Sequence, residues 1–230
     1  MAFQAKVSSQ FRSFKCFSIE DDLKSLALRN TQGDLIAWLK PVIKEWRRSD
    51  AYLPELLTRW RIENPTISTG KFVPTAERTA AWLDNLVIGR DDRLLFIVQG
   101  LDGTPLGHIG YSNFNFEDRT GELDSVLRGV KEGYPGLMTL ASRRLVEWGY
   151  KTLGLHDVTL TVFSDNESAI HFYQKMGFVE THRKGLYKVF IPEKNEEKLE
   201  IADENYSGPI EKHYIYMKYE GKIGHDAYSI

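Results

Sequence analysis

Glu122 and Asp124 stand two residues apart in Thr120-Gly121-Glu122-Leu123-Asp124-Ser125-Val126, and further along the chain Asn166 and Tyr173 share the segment Ser164–Phe178. These are the residue types of proton-transfer chemistry. A carboxylate held in a partly dry cleft has its pKa raised toward neutrality and can take a proton from an ammonium group, directly or through water; a phenol can return a proton to a leaving group. Residues 120–128 read as a strand, on which positions i and i+2 share a face, so Glu122 and Asp124 project together with Val126. Plainer readings stand beside this one. The two acids can be the solvated face of an antiparallel strand, Tyr173 can be a core aromatic in an amphipathic stripe, and Asn166 a first-turn polar residue.

The elements that must position these groups are legible in outline. Ser164 with Glu167 fits a capping box, in which hydroxyl and carboxylate satisfy each other's orphan amides at a helix start. Ala169, Phe172, Tyr173 and Met176 recur at helical spacing, and Gly177 can take the left-handed conformation that closes a helix. Upstream, Val158, Leu160 and Val162 alternate with Thr159, Thr161 and Phe163 as a strand should, and a helix with Met138, Ala141, Leu145 and Trp148 on one side separates it from the acidic strand. That crossover makes the two strands parallel. The loop Lys131-Glu132-Gly133-Tyr134-Pro135-Gly136-Leu137-Met138-Thr139 leads into this helix, where free amides and the positive end of the helix dipole make an anion site. Arg128 and Lys131 before it, with Arg143 and Arg144 after it, suit a ligand carrying several phosphates. A tight turn that needs glycine is the simpler alternative.

Elsewhere, Leu94–Val98 and Pro105–Tyr111 read as strands joined at Asp102-Gly103, a strong hairpin-turn pair. Pro54–Trp60 and Thr75–Leu83 read as short helices, and Leu186–Ile191 and His213–Tyr219 as further strands around an exposed excursion at about 192–211. Residues 1–50 are treated as an N-terminal elaboration of a main domain at 51–230, with Leu35–Leu39 and Val42–Trp46 as helical pieces interrupted at Pro41. The chain has 230 residues, 42% of them hydrophobic, and a formal charge of −2, which gives no general reason to expect nucleic-acid or membrane binding. A single cysteine excludes an internal disulfide, and the six histidines (108, 156, 171, 182, 213, 225) show no zinc-type spacing, so no metal is expected. With no long uncharged apolar stretch, a soluble cytoplasmic protein is the default.

The order of parts, with Asn166-x-x-Ala169-x-x-Phe172-Tyr173-x-x-x-Gly177-Phe178, resembles the GNAT superfamily of N-acetyltransferases, including the branch that holds the ribosomal-protein-alanine acetyltransferases. The likeness covers roughly residues 54 to 190 and includes Trp60-Arg61-Ile62-Glu63-Asn64-Pro65, similar to that branch's Trp-Arg-Asn segment. It implies an α/β fold with a mixed, mostly antiparallel sheet of about six or seven strands, a splayed parallel pair, and helices on both faces. It also implies acetyl-CoA as co-substrate, without a metal. Backbone near Val126, Leu127 and Arg128 would hold the pantetheine arm, with Lys131 beside it; amides from Gly133, Tyr134, Gly136, Leu137, Met138 and Thr139 would hold the pyrophosphate. Asn166 would orient the arm or the acceptor, Glu122 or Asp124 would act as base, and Tyr173 as acid. If Gly136 is the central glycine of the family's Gln/Arg-x-x-Gly-x-Gly/Ala loop, Gly133 and Met138 depart from its outer positions, and Pro135 removes an amide donor. The acceptor is read as a small-molecule amine, with an amino sugar, free or nucleotide-linked, preferred over a peptide N-terminus because the pattern from Leu127 to Met138 resembles that of amino-sugar acetyltransferases; Glu117-Asp118 suit a cationic amine, and Tyr111, Phe114 and Phe116 a stacked sugar or nucleotide. A non-catalytic CoA-binding module is the alternative of another class. Sheets of this family often pair through their edges, which allows a homodimer.

Overall fold

The apolar alternation that marks strands in the middle of the sequence builds the centre of one large sheet. The computed structural model describes residues 2–16, 24–65, 70–71, 73–194 and 196–222; His225 lies outside them. Ten strands are found among these residues: β1 (Leu26–Arg29), β2 (Leu35–Pro41), β3 (Gly70–Lys71), β4 (Leu94–Gly100), β5 (Pro105–Asn115), β6 (Thr120–Arg128), β7 (Asp157–Phe163), β8 (Phe178–Ile191), β9 (Glu196–Ile201) and β10 (Lys212–Tyr219). Their order in space is β1-β2-β4-β5-β6-β7-β10-β8-β9-β3. Every pair is antiparallel except β6 with β7, the pair joined by the crossover helix.

The sheet is wider than the expected six or seven strands because segments read otherwise in the sequence join its edges. Leu35–Leu39 is not helical: it lies in β2 and pairs with both β1 and β4. The apolar run there is too short for periodicity to separate a helix from a buried strand, and Pro41 sits at the strand's last position, where it breaks no ladder. The excursion at 192–211 carries β9, which pairs along β8 from Leu186 to Ile191.

Helices cover both faces. On one, α1 (Ala2–Lys15), α5 (Leu137–Trp148, continued by a π-helical turn to Leu153) and α6 (Glu167–Met176) bury Phe11, Leu145, Trp148, Tyr173 and Met176 against Phe96, Leu123, Val158 and Leu160. On the other, α2 (Trp46–Ser49), α3 (Leu53–Glu63) and α4 (Ala76–Trp82, continued as a π-helix to Ile88) pack Trp46, Leu57, Trp60 and Leu83 onto Leu95, Ile97 and Leu127. Thr75 starts α4 as expected, its hydroxyl accepting from Arg78 N at 3.2 Å.

Two bulges decide where the centre of the sheet aims its side chains. In β6 three residue steps oppose two in β5 between the pairs His108↔Leu127 and Gly110↔Asp124, and Ser125 takes φ +53°. In β5 the mismatch is reversed around Asn113, at φ +50°. The extra residue at Ser125 inverts the in/out alternation. Leu123 therefore packs under α5 while Leu127, four residues on, packs under α3 and α4. Val126, expected beside the acids, instead packs with the α1/α5/α6 cluster.

Candidate active site

β6 and β7 pair over only three positions, Thr120↔Asp157, Gly121↔Val158 and Glu122↔Thr159, and then diverge. The divergence leaves a cavity of about 630 Å³ whose walls come from both faces of the sheet: Leu57, Arg61, Thr79 and Trp82 from α3 and α4, and Asn166, Ala169 and Tyr173 from α6 and its cap. Glu122, Asp124, Val126 and Leu127 of β6 line it along one side. The structure thus brings the proposed acids, Tyr173 and Asn166 around one space.

The two carboxylates differ in what holds them. Asp124 is ion-paired with Arg93 at 2.5 Å and accepts from the amide of Ser125 at 2.6 Å. Arg93 also reaches the Ser125 hydroxyl and lies over the ring of Trp82. Among the described residues no cation is paired with Glu122; Asn113 donates to it at 2.9 Å from the β5 bulge. Burial raises the Glu122 pKa above the ordinary carboxylate value, against the hydrogen bonds from Asn113 and Thr161 that lower it. The proton affinity of Glu122 is thereby moved toward neutrality.

Tyr173 is 8% exposed, held edge-on by Phe172 and Phe178. Burial first, then the nearby Asp124 and Glu122 charges, keep its phenol well above the usual value and therefore protonated at neutral pH. Asn166 is the N-cap of α6, its side chain accepting from Ala169 N at 3.2 Å. This corrects the expected capping box: the Ser164 hydroxyl instead accepts from His213 N at 3.0 Å, so it fixes the end of β7 to β10. Gly177 closes the helix at φ +100°, as its type predicts.

His108 was not singled out from the sequence, yet it lines the cavity. Its Nδ1 donates to the Ser125 carbonyl at 2.6 Å, which pins the bulge, and its ring lies beside Trp60. Burial pushes its pKa down to about 4, so the imidazole is neutral and its second nitrogen is an acceptor. A lone histidine between the apolar residues of a buried strand was the only signal. Arg93 gave less, standing just before β4.

The glycine loop is placed apart from these groups. Gly133, Tyr134, Gly136, Leu137 and Thr139 line a second cavity of about 310 Å³ beside Asn30, Ile36 and Arg143. Gly136 is the N-cap of α5 at φ +73° and, among the described residues, no side chain caps that helix; the Leu137 amide donates to Tyr134 O at 3.4 Å, which leaves the amides of Met138 and Thr139 for an anion. Leu137 and Met138 themselves are buried in the core. Arg128 does not project to the loop's far side; it donates to the carbonyls of Val130 and Lys131 and so braces the loop's own backbone. Gly129 begins the loop with Trp60 pressed against it, a built Cβ falling 2.0 Å from Trp60 Cε2. The diverging strand with its unpaired backbone and the uncapped helix start fit an acyl-CoA.

Two expectations about the acceptor fail on geometry. Tyr111 is fully buried with its hydroxyl donating to Leu145 O, while Phe114 and Phe116 stack on each other and meet Phe11 and Phe3 of α1 edge-on, and none of the three lines the cavity. Glu117 and Asp118 lie in the β5–β6 turn, tied to Asn115 and outside the cavity.

Among the described residues the sheet is open and mixed and splits at one parallel pair, with Glu122 and Asp124 beside the split and an uncapped helix start after it. Residues 42–179 match the acetyltransferase (GNAT) domain, and the chain belongs to that family. It is 32% identical over 83 residues to spermidine N(1)-acetyltransferase of Escherichia coli K12, spanning 36% of this chain and 44% of that protein, and 28% identical over 85 residues to the Vibrio cholerae enzyme, 37% of this chain and 49% of that protein. The chain therefore matches under half the length of these relatives. Among solved structures, FdhC, a nucleotide-linked sugar GNAT, superposes with a TM-score of 0.55 at 17% identity, covering 85% of this chain and 90% of that one. Vibrio cholerae spermidine/spermine N-acetyltransferase SpeG, solved with manganese ions, gives 0.51 at 14% identity, covering 80% and 91%. Among the described residues no cluster of metal-ligating side chains is found and no helix is long and apolar enough to cross a membrane.

Proposed function

We propose that the protein transfers an acetyl group from acetyl-CoA to a primary amine of a small acceptor by direct attack on the thioester. The observation that carries this is the pairing, across the split between β6 and β7, of a carboxylate with raised proton affinity and a phenol held protonated. Glu122 takes the proton that an ammonium must lose before its nitrogen can attack; its hydrogen bond from Asn113 keeps the carboxylate oriented toward the cavity. Asp124, ion-paired with Arg93, ties β6 to the start of β4. Backbone amides of β6 beyond its last pair with β7 are the donors available to the developing oxyanion. Tyr173 gives its proton to the departing thiolate. Acetyl-CoA supplies the activated acyl group, held by the β6 backbone from Val126 to Arg128 and by the amides at the start of α5.

The partial likeness to spermidine N(1)-acetyltransferases supports a small amine acceptor over a protein one. We favour an amino sugar, because the cavity mixes acids, bases and aromatic rings where a polycation would call for acids throughout. A thiol-release assay with acetyl-CoA and parallel panels of amino sugars, polyamines and short peptides tests this. Turnover confined to peptides would refute the small-acceptor reading, and absence of CoA binding by thermal shift would refute acetyl transfer.

A further inference from the structure

The sheet face that carries Glu122 continues across β7, β10 and β8 as a run of rings. Phe163 stacks on Tyr214 with centroids 4.9 Å apart, Tyr214 meets Tyr216 at 6.3 Å, and Tyr216 stacks on His182 at 4.3 Å. The cross-strand pairs Phe163↔Tyr214, Thr161↔Tyr216 and His182↔Tyr216 put them on one side. Phe163, Tyr214 and Tyr216 line the cavity, and all three are accessible in part or lie at its wall beside Glu122. Cations sit on this floor: Lys212 Nζ is 3.9 Å from the Phe163 centroid and Lys184 Nζ 5.6 Å from that of Tyr216. Arg61 and Arg93 join them from the α3 and α4 side.

The balance of charge selects against a linear polyamine. Asp124 is already paired with Arg93, and Asp165 with Lys212 at 3.1 Å, so Glu122 is the carboxylate left to meet an incoming ammonium. A second or third ammonium on the same molecule would meet Arg61 of the cavity wall and Lys184 beside the Tyr216 ring. The loop before α5 belongs to the opposite face of the sheet, so these cations are not positioned for the phosphates of the co-substrate. Aromatic rings with flanking cations are instead a platform for a ring that carries phosphate, the ring stacking and the phosphate taking charge-assisted hydrogen bonds.

Resting on the acetyl-transfer reading above, we infer that the acceptor is a phosphate-bearing amino sugar, free or nucleotide-linked, whose ring lies on Tyr214 and Tyr216 and whose phosphate is drawn by Arg61 and Lys184. Steady-state kinetics with glucosamine, glucosamine 1-phosphate, a uridine-diphosphate-linked amino sugar, spermidine and a free-N-terminus peptide test it. A phosphorylated acceptor is expected to exceed glucosamine and spermidine in kcat/KM by at least about tenfold, with the margin shrinking as salt is raised. The ratio of the two phosphorylated acceptors tells whether the nucleotide is read. Lys184→Glu, at an exposed position, should raise the ratio of KM for phosphorylated to plain acceptor about tenfold, and Arg61→Met about ten- to a hundredfold. Preference for spermidine, glucosamine or the peptide, or an unchanged KM ratio in both variants, would overturn the inference while leaving acetyl transfer standing. No turnover of any amine together with no CoA binding would refute the reading beneath it.

Discussion

Glu122→Gln replaces a carboxylate by an amide of the same shape, so the hydrogen bond from Asn113 Nδ2 keeps its acceptor and the strand its packing. What is lost is the proton acceptor. General-base catalysis is worth about 10²- to 10⁴-fold, so kcat/KM for the amine should fall by about 3 to 5 kcal/mol at about 1.4 kcal/mol per decade, while the affinity for CoA, measured by calorimetry, stays within about twofold. The pH dependence supplies a second readout. The wild-type rate should fall on the acid side through a pKa above the ordinary carboxylate range, because burial raises that of Glu122, and the variant should lose that limb. Stability moves the other way. A carboxyl with a raised folded-state pKa holds its proton in the native state after the unfolded chain has released it, so native stability falls as pH climbs from about 4.5 through the folded pKa. Glu122→Gln removes that penalty and should unfold at a slightly higher temperature at pH 7 than the parent. A variant that keeps its rate within twofold, or that retains the acid limb, would refute the assignment of Glu122 as base.

Tyr173→Phe keeps the edge-on contacts with Phe172 and Phe178 and removes only the hydroxyl; kcat should fall about a hundredfold with the melting temperature unchanged, and a combined loss of both would make the phenol structural. Gly129→Ala puts a methyl into the Trp60 ring and should cost about 1 to 3 kcal/mol in denaturant unfolding, together with weaker CoA binding as the loop shifts. Lys15, 1% exposed, donates to Val87 O at 2.6 Å and Arg90 O at 2.5 Å, and burial lowers its pKa to about 8. The unfolded chain keeps the Lys15 proton up to about 10.5, so between about 8 and 10.5 the unfolded state binds more protons and stability rises with pH. Thermal melts should show that rise in the parent and its loss in Lys15→Met.

The middle of the sheet was legible in the sequence because its signals are local: the Asp102-Gly103 turn, the alternation of β7, the stripe of α5 and the left-handed Gly177 each act within a few residues. The site was legible as far as its residue types. Glu122, Asp124 and Tyr173 do surround one cavity, and the strand order that unites them follows from a single crossover. What stayed hidden depends on partners distant in the chain. Ser125 has no property that announces a bulge, so simple alternation puts Val126 beside the acids where the fold packs it with the α1/α5/α6 cluster; the bulge is held by His108, seventeen residues upstream. The rings of Phe114 and Phe116 are covered by α1, whose apolar stripe of Phe3, Val7, Phe11 and Phe14 is spaced for that role but names no partner in the sequence. Asn166 and Ser164 could each have capped α6, and β10 decides between them by engaging Ser164.

A ten-stranded sheet joined at its middle by three residue pairs is mechanically two plates on one short seam. β1 to β6 without β3 form one plate, and β7, β10, β8, β9 and β3 the other. Any molecule lodged between Leu127 and Val162 bridges both plates, so occupancy stiffens the whole protein about a line through Gly121. Deuterium uptake at the amides of residues 120–122 and 157–159 is thus a strain gauge for the site, reporting occupancy from outside the cavity.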